Sequence, residues 1–191
     1  MAKNSKKGGF FQSPIMRSRI TNPNVTLFPE AGLGYLVGPL LALISNGIIN
    51  VWLVQYWDKV LGMGEWGPLY QTLLPIFSAI LIVVGNLFVG RLLEKKPTLA
   101  GKARPLILIG MPVILVSFLF LFLVPSLTGV NAEGVTDINW TTSILVAVGY
   151  NLYYALAWPL YYTSHSALVN LSTRDGGKRG LLSTCIMAAQ L

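Results

Sequence analysis

The chain has 191 residues, of which 53% are hydrophobic and only 11% are charged, whereas about a quarter of the residues of a soluble domain carry a charge. This composition excludes an ordinary soluble enzyme. Lys and Arg number 14 and Asp and Glu number 7, which gives a net charge of +7, so the positions of these charges must distinguish nucleic-acid binding from other roles. The single cysteine, Cys185, and the single histidine, His165, exclude a disulfide framework and leave little for a metal centre or a Ser-His-Asp triad.

Four uncharged apolar stretches have the length that a bilayer demands of a helix, about 20 residues. They are residues 33–57, 69–90, 106–124 and 144–163. We predict a transmembrane helix for each, because a globular protein with four such runs would have almost no polar surface to cover them. A fifth apolar stretch opens at Gly180, and the sequence stops inside it at Leu191. The sequence therefore predicts an all-α, polytopic helical bundle of four helices plus the start of a fifth.

The basic residues lie in alternate connections between these stretches. Basic residues before the first stretch, after the second and after the fourth are Lys3, Lys6, Lys7, Arg17, Arg19, Arg91, Lys95, Lys96, Lys102, Arg104, Arg174, Lys178 and Arg179. The opposite connections carry Lys59 with the acidic Asp58, Glu65, Glu133 and Asp137. The positive-inside rule then predicts a multi-pass protein of the cell membrane with a cytoplasmic N-terminus. The basic excess indicates orientation, and no nucleic-acid partner is expected.

The predicted domain organisation is a cytoplasmic N-terminal tail, residues 1–31, followed by an incomplete transmembrane helical domain, residues 32–191. The tail begins polar and basic and has no apolar core before Leu27. A cleaved secretory signal is therefore not expected.

The connection between the second and third helices carries the most informative pattern. Gly90 is followed by an acid at Glu94 and a base at Lys95, and then by the segment 101–105, Gly-Lys-Ala-Arg-Pro. This pattern resembles the signature loop of the major facilitator superfamily. From the residues alone, Gly90 lets another helix approach closely, and Glu94 can face a helix N-terminus or an arginine. The alternative is an ordinary basic connection on the cytoplasmic side.

Three further segments narrow the resemblance to the glycoside-pentoside-hexuronide:cation symporters, the melibiose-permease-like branch. Residues 101–110 are similar to the start of the third helix in that branch. Residues 56–62 resemble the end of its first helix, with Trp57 in place of a threonine and Lys59 inserted. Residues 158–162, followed by a polar loop and an apolar helix, resemble its fourth-helix end and fifth-helix start. The match covers about residues 32–191.

The resemblance implies the N-terminal part of a twelve-helix secondary transporter. It implies transport of a sugar or glycoside by alternating access between two six-helix halves, with Na⁺ or H⁺ as the coupling ion and no cofactor. The missing C-terminal half or a partner chain would complete the path through the lipid bilayer. Arg179 is expected to pair with acidic groups of the gate or to cap the fifth helix. The residues assigned to the gate or to loops like those of the family are Asp58, Gly90, Glu94, Lys95, Gly101, Arg104 and Arg179.

Membrane-embedded carboxylates of that branch are missing from this sequence. An ungapped alignment places Ile82 and Asn86 at its two second-helix aspartates and Ala157 at its fourth-helix aspartate. Sodium needs several hard oxygen ligands and proton coupling needs a titrating group, so we expect an altered or absent cation site and no metal site. His165 is the coupling candidate because histidine titrates near neutral pH. The alternative is a histidine that bonds a backbone carbonyl.

Polar and aromatic residues inside the apolar stretches are the candidates for substrate binding. Sugars are bound by flat apolar rings together with hydrogen-bonding groups. On the fourth helix, a spacing of three or four residues places Tyr150, Tyr154, Trp158 and Tyr161 on one face. The predicted substrate-binding residues are Asn46, Asn50, Asn86, Tyr150, Asn151, Tyr154 and Trp158. The alternatives are amides that join neighbouring helices and rings of an interfacial aromatic belt.

Two other functions are alternatives to transport. A transport-inactive, truncated half-carrier that acts through assembly with a partner stays open, because the membrane carboxylates are missing and the sequence stops abruptly. An intramembrane enzyme is not expected, since the paired acids, histidine cluster or nucleophile–base pair that such chemistry needs are absent from the sequence.

Overall fold

The computed structural model describes residues 9–13, 27–57, 61, 66–124, 139–173 and 175–190. Within these ranges the chain is almost entirely helical and forms no strand, apart from an isolated bridge between Thr98 and Gly101. A short 3₁₀ turn, Phe10–Gln12, precedes the helices. The all-α prediction is confirmed.

We number the helices α1 to α5 in chain order. Three of them contain a segment of π-helix, in which backbone hydrogen bonds join residues five apart. We call each such segment the wide turn of its helix, whatever its length. Helix α1 is the wide turn Leu27–Val37 continued by Gly38–Tyr56; α2 is Gly67–Glu94; α3 is Ala103–Phe118 continued by the wide turn Leu119–Leu123; α4 is Trp140–Asn151, the wide turn Leu152–Ala157 and Trp158–Ser172; α5 is Gly176–Gln190.

Four helices are long and apolar enough to cross a membrane, as predicted. The spans are Ala31–Tyr56, Gly67–Glu94, Ala103–Leu123 and Trp140–Ser172. Helix α1 begins at Leu27, inside the predicted tail. The fourth helix extends nine residues beyond the predicted end at position 163, to Ser172, whose Oγ donates to the carbonyl of Leu168 at 2.8 Å.

The start of α5 corrects a prediction. The segment 172–180 is expected to be a turn-rich loop with a helix beginning at Gly180, yet α5 begins at Gly176. Asp175 Oδ1 accepts hydrogen bonds from the backbone N–H groups of Gly177 (2.8 Å) and Lys178 (3.2 Å). This side chain satisfies the free donors of the first turn, and the helix therefore starts four residues early.

Helix α4 packs against both α2 and α3, and glycines set the distance of closest approach. A Cβ added at Gly149 would lie 2.7 Å from Cβ of Phe120, and one at Gly110 would lie 3.3 Å from Cβ of Leu160. A Cβ at Gly85 would overlap the carbonyl of Ala155. Small residues let helix backbones approach in this way in membranes.

The largest core cluster lies between α1, α3 and α4, whereas α2 exposes an apolar surface. Leu53 and Trp57 pack with Leu121, Val146 and Tyr153 in the core cluster, and all five are buried. On α2, by contrast, the side chains of Phe77, Ile80 and Leu87 are 65%, 67% and 66% exposed. A surface of this apolar character is stable against lipid and not against water.

Candidate functional site

The middle of α4 is a wide turn, and a proline explains its position. Pro159 has no N–H and cannot donate to the carbonyl of Ala155, four residues earlier. The turn instead closes with a bond from the N–H of Trp158 to the carbonyl of Tyr153, five residues earlier. The wide turn of α1 similarly ends two residues before Pro39. The two helices therefore contribute irregular backbone to the candidate site.

Two amides of α1 meet two tyrosine hydroxyls of the wide turn in α4. The Tyr153 hydroxyl donates to Asn46 Oδ1 at 3.2 Å, and the Tyr154 hydroxyl donates to Asn50 Oδ1. Tyr153 is buried, whereas Asn50 is exposed. The structure thus brings together three predicted substrate-binding residues, Asn46, Asn50 and Tyr154, and adds Tyr153, which is not among the predicted residues.

A series of ring contacts continues from these pairs along α4. The ring of Tyr150 lies 4.6 Å from that of Tyr154, measured between centroids, and the ring of Tyr154 lies 4.9 Å from that of Tyr153. Trp158 contacts Tyr153 at 6.2 Å and Tyr161 at 6.1 Å. These rings form an aromatic face beside the two amides.

The predicted aromatic stripe is wrong at one step. Regular α-helical spacing pairs Trp158 with Tyr154, whereas the structure pairs the Trp158 ring with Tyr153, five residues earlier. The wide turn adds one residue to the helical repeat at this point, so the side chains change register. The stripe is therefore continuous from Tyr150 to Tyr154 and from Trp158 to Tyr161, and it shifts between these two pairs.

The other two predicted amides lie elsewhere on α2 and α4. Asn86 is exposed; its Nδ2 donates to the carbonyl of Ile82 at 2.9 Å, and its Oδ1 accepts from Thr163 Oγ1 at 3.4 Å. Asn151 Nδ2 donates to the carbonyl of Ala147 at 2.9 Å. Asn151 lines an apolar groove of about 700 Å³ between α2 and α4, and its Oδ1 is buried without a partner among the described residues. The structure does not group these two amides with Asn46 and Asn50.

Comparison with known proteins assigns the family. A family model described as MFS/sugar transport protein matches residues 34–191, which is most of the chain. The chain belongs to this family. The predicted membership of the major facilitator superfamily is thereby confirmed, and the four apolar spans are those of a multi-pass membrane protein of a sugar transport family. No curated protein and no solved structure matches the chain.

In this member of the MFS/sugar transport family, the signature-like connection is a tight turn between α2 and α3. The N–H of Gly101 donates to the carbonyl of Thr98 at 2.9 Å, and the N–H of Thr98 donates back at 3.2 Å. Gly101 has a φ of +95°, a backbone conformation that residues with a Cβ rarely adopt. Glu94, Lys95 and Arg104 are exposed around this turn. The first-helix candidate of the gate, Asp58, lies outside the described residues.

Two expectations about these loop residues need correction. Gly90 does not mark a close helix approach, because a Cβ there would meet no described atom within 4 Å; the close approach is at Gly85, against α4. Arg179 does not cap α5, since Asp175 does so; its pairing with acidic groups of the gate stays a prediction. The Arg179 Nη2 instead donates to the carbonyl of Thr173 at 3.2 Å, and it ties the first turn of α5 to the end of α4.

His165 lies on α4 where the wide turn of α1 passes it. Its Nε2–H donates to the carbonyl of Gly34 at 3.1 Å, and its ring lies 5.4 Å from Tyr35 and 5.7 Å from Tyr161. The Tyr35 hydroxyl in turn bonds the Ser172 hydroxyl. His165 therefore bonds a backbone carbonyl, which is the alternative interpretation of this residue. A role in coupling stays a prediction.

Acidic side chains are absent from the interior of the membrane spans. Residues 31–57, 67–93, 103–124 and 139–172 contain no Asp or Glu. Within the ranges that the structure describes, no three His, Cys, Asp or Glu side chains are grouped so that they could hold a metal ion. The chemistry available to the site is therefore that of amides, hydroxyls and aromatic rings.

Proposed function

We propose that this chain carries a sugar or glycoside across the cell membrane by alternating access, as a relative of the melibiose-permease-like symporters with its N-terminus in the cytoplasm. The observation that carries the proposal is the pairing of Asn46 and Asn50 with Tyr153 and Tyr154 inside the spans. Amide and hydroxyl groups are matched donors and acceptors for sugar hydroxyls, and the adjoining rings offer flat faces for sugar C–H groups.

The exposed amide of α1 favours a transport path that further helices complete. Asn50 is exposed on α1, six residues before the helix ends at Tyr56, and an amide that faces lipid inside a span is unfavourable. A second helical half, in the same protein or in a partner chain, would cover this face and enclose the substrate. The bonds between α1 and α4 would then hold the amides in place until substrate hydroxyls compete for them.

The proposed transport differs in its coupling from that of the symporters it resembles. The missing carboxylates remove the usual oxygen ligands for Na⁺ and the usual proton acceptors. Asn86, at a position taken by an aspartate in that branch, can offer an amide oxygen but does not exchange a proton near neutral pH. We therefore expect saturable sugar uptake that does not depend on a sodium gradient. A proton gradient would act only through His165.

The experiment is uptake of a panel of labelled glycosides into proteoliposomes that contain the full-length protein, with and without sodium and proton gradients. For the transported glycoside, Asn50→Ala and Trp158→Ala should each raise KM by about tenfold, the loss expected for a hydrogen bond or a ring contact to substrate. Asn170→Ala is the matched control, because Asn170 is exposed at the end of α4, away from the paired amides; its KM should not change.

The outcomes separate the alternatives. Saturable uptake that ignores both gradients supports the uncoupled carrier. Dependence on a proton gradient that His165→Gln abolishes assigns coupling to His165. Equal KM values for Asn50→Ala, Trp158→Ala and Asn170→Ala contradict the proposed site. No uptake of any glycoside by correctly inserted protein contradicts the carrier and favours the transport-inactive, partner-associated alternative.

A further inference from the structure

A cavity separate from the paired amides lies between the α2–α3 connection and the last turns of α4. Its volume is about 280 Å³, nearly ten times the roughly 30 Å³ share of one water molecule in the liquid. It therefore has room for more than an ordered water. Its lining combines two basic residues, two leucines and small residues: Lys102, Arg104, Leu168, Leu171, Pro97, Ala100, Gly101 and Ala103.

The wall formed by the connection is held in one conformation. The reciprocal backbone bonds between Thr98 and Gly101 close the turn, and Thr98 Oγ1 also donates to the Gly101 carbonyl at 2.8 Å. Ala100 and Ala103 are buried beneath the turn. The two basic side chains thus project from a fixed backbone on either side of Ala103.

The charge around the cavity is strongly positive. Residues 91–104 include five basic side chains and one acidic side chain, a net charge of +4. The lining itself contains Lys102 and Arg104 and no acidic residue. A lining that contains both an arginine and a lysine favours a phosphate, because arginine bonds two phosphate oxygens at once and lysine adds a positive charge.

The ends of the predicted spans place the cavity near a membrane surface. Helix α2 ends at Glu94, α3 begins at Ala103 and α4 ends at Ser172, so the ends of three successive spans border it on one face of the membrane. Next to the basic residues, Leu171 is 45% exposed. A phosphate site with an exposed leucine at this depth is matched to a molecule with a charged head and an apolar chain.

We propose that this cavity binds an anionic phospholipid. Lys102 and Arg104 hold the phosphate of the headgroup, and an acyl chain runs against Leu168 and Leu171. A soluble phosphate would use the two basic residues and leave the leucines unused, whereas a phospholipid uses both parts of the lining. The bound lipid would fasten the α2–α3 connection to the end of α4.

The test is native mass spectrometry of the full-length protein purified in detergent and titrated with phosphatidylglycerol or phosphatidylcholine. The unsubstituted protein should retain phosphatidylglycerol in preference. The double variant Lys102→Gln/Arg104→Gln should bind phosphatidylglycerol at least about tenfold more weakly, since each basic residue near the surface contributes to attraction of anionic lipid. Arg91→Gln/Lys96→Gln is the matched control: it removes the same charge from exposed residues outside the cavity, and its binding should stay close to that of the unsubstituted protein.

Leu171→Asn tests the acyl contact and serves also if the double variant fails to insert. It should weaken phosphatidylglycerol binding by roughly fivefold while both basic residues remain. Equal losses in the cavity variant and its control would show diffuse surface attraction and overturn the proposal. Competition by inorganic phosphate at the concentrations that phosphatidylglycerol requires, or an unchanged affinity in Leu171→Asn, would show a site for soluble anions and overturn it as well.

Discussion

Hydrogen bonds between single side chains join α1 to α4, and a small substitution can remove one of these bonds at a time. Tyr153→Phe removes only the hydroxyl that donates to Asn46 Oδ1 at 3.2 Å. Hydrogen bonds between helices in a membrane contribute about 0.6 kcal/mol on average and up to about 1.7 kcal/mol. We expect Tyr153→Phe to lower the free energy of unfolding by this amount, measured by reversible unfolding in mixed micelles.

The matched control is Tyr161→Phe on the same helix. It makes the same chemical change, but the Tyr161 hydroxyl has no hydrogen-bond partner among the described residues, so its effect should be near zero. A double-mutant cycle with Asn46→Ala isolates the pair, because Tyr153→Phe should have no further effect once the amide is gone. Equal effects of Tyr153→Phe and Tyr161→Phe would show that the bond contributes nothing.

Helix packing depends on the absence of a side chain at Gly85. A Cβ there would overlap the carbonyl of Ala155, and the helices would have to separate. Overpacking of this kind costs about 1–3 kcal/mol. Gly85→Ala should therefore lower the free energy of unfolding by that amount, although alanine favours a helix over glycine by itself.

Gly90→Ala, five residues further along α2, controls for the higher helix preference of alanine. No described atom lies within 4 Å of its added Cβ, so this variant should keep or slightly raise the stability. The same unfolding assay compares the two. A Gly85→Ala protein as stable as Gly90→Ala would contradict the close contact between α2 and α4.

The number and type of the helices follow from the sequence, whereas local register does not. Apolar length alone predicts four spans, since a bilayer fixes how many residues a helix needs. The spacing of Asn46 and Asn50 likewise predicts one shared face. Regular helical spacing does not predict the role of Tyr153, because the wide turn before Pro159 pairs the Trp158 ring with a residue five positions earlier instead of four. That proline was the available signal.

The periodicity of the sequence likewise does not predict which residues are in contact between helices. Gly85 and Gly90 are both glycines on one helix, and only the position of α4 decides which of them is a contact. The early start of α5 has a local cause: Asp175 lies just before the helix, and its side chain caps the N–H groups of Gly177 and Lys178.

At the scale of the whole molecule, successive connections between the spans are expected on opposite sides of the membrane. Helices α2, α3 and α4 each contain one span and follow one another along the chain. One crossing, α3, separates the α2–α3 connection from the α3–α4 connection. The former carries Lys95, Lys96 and Lys102, and the latter carries Glu133 and Asp137. The sidedness that this asymmetry predicts is testable by labelling.

The chain offers a simple labelling background because Cys185 is its single cysteine. After Cys185→Ser, Glu133→Cys should react with a membrane-impermeant maleimide on intact cells, and Lys96→Cys should react only after permeabilisation, since basic connections are retained in the cytoplasm. Ser117→Cys, at a buried position inside α3, should stay unlabelled until the protein is denatured. Labelling of both Lys96→Cys and Glu133→Cys on intact cells would mean that α3 does not cross the membrane, and an alternating-access carrier built on these spans would then be excluded.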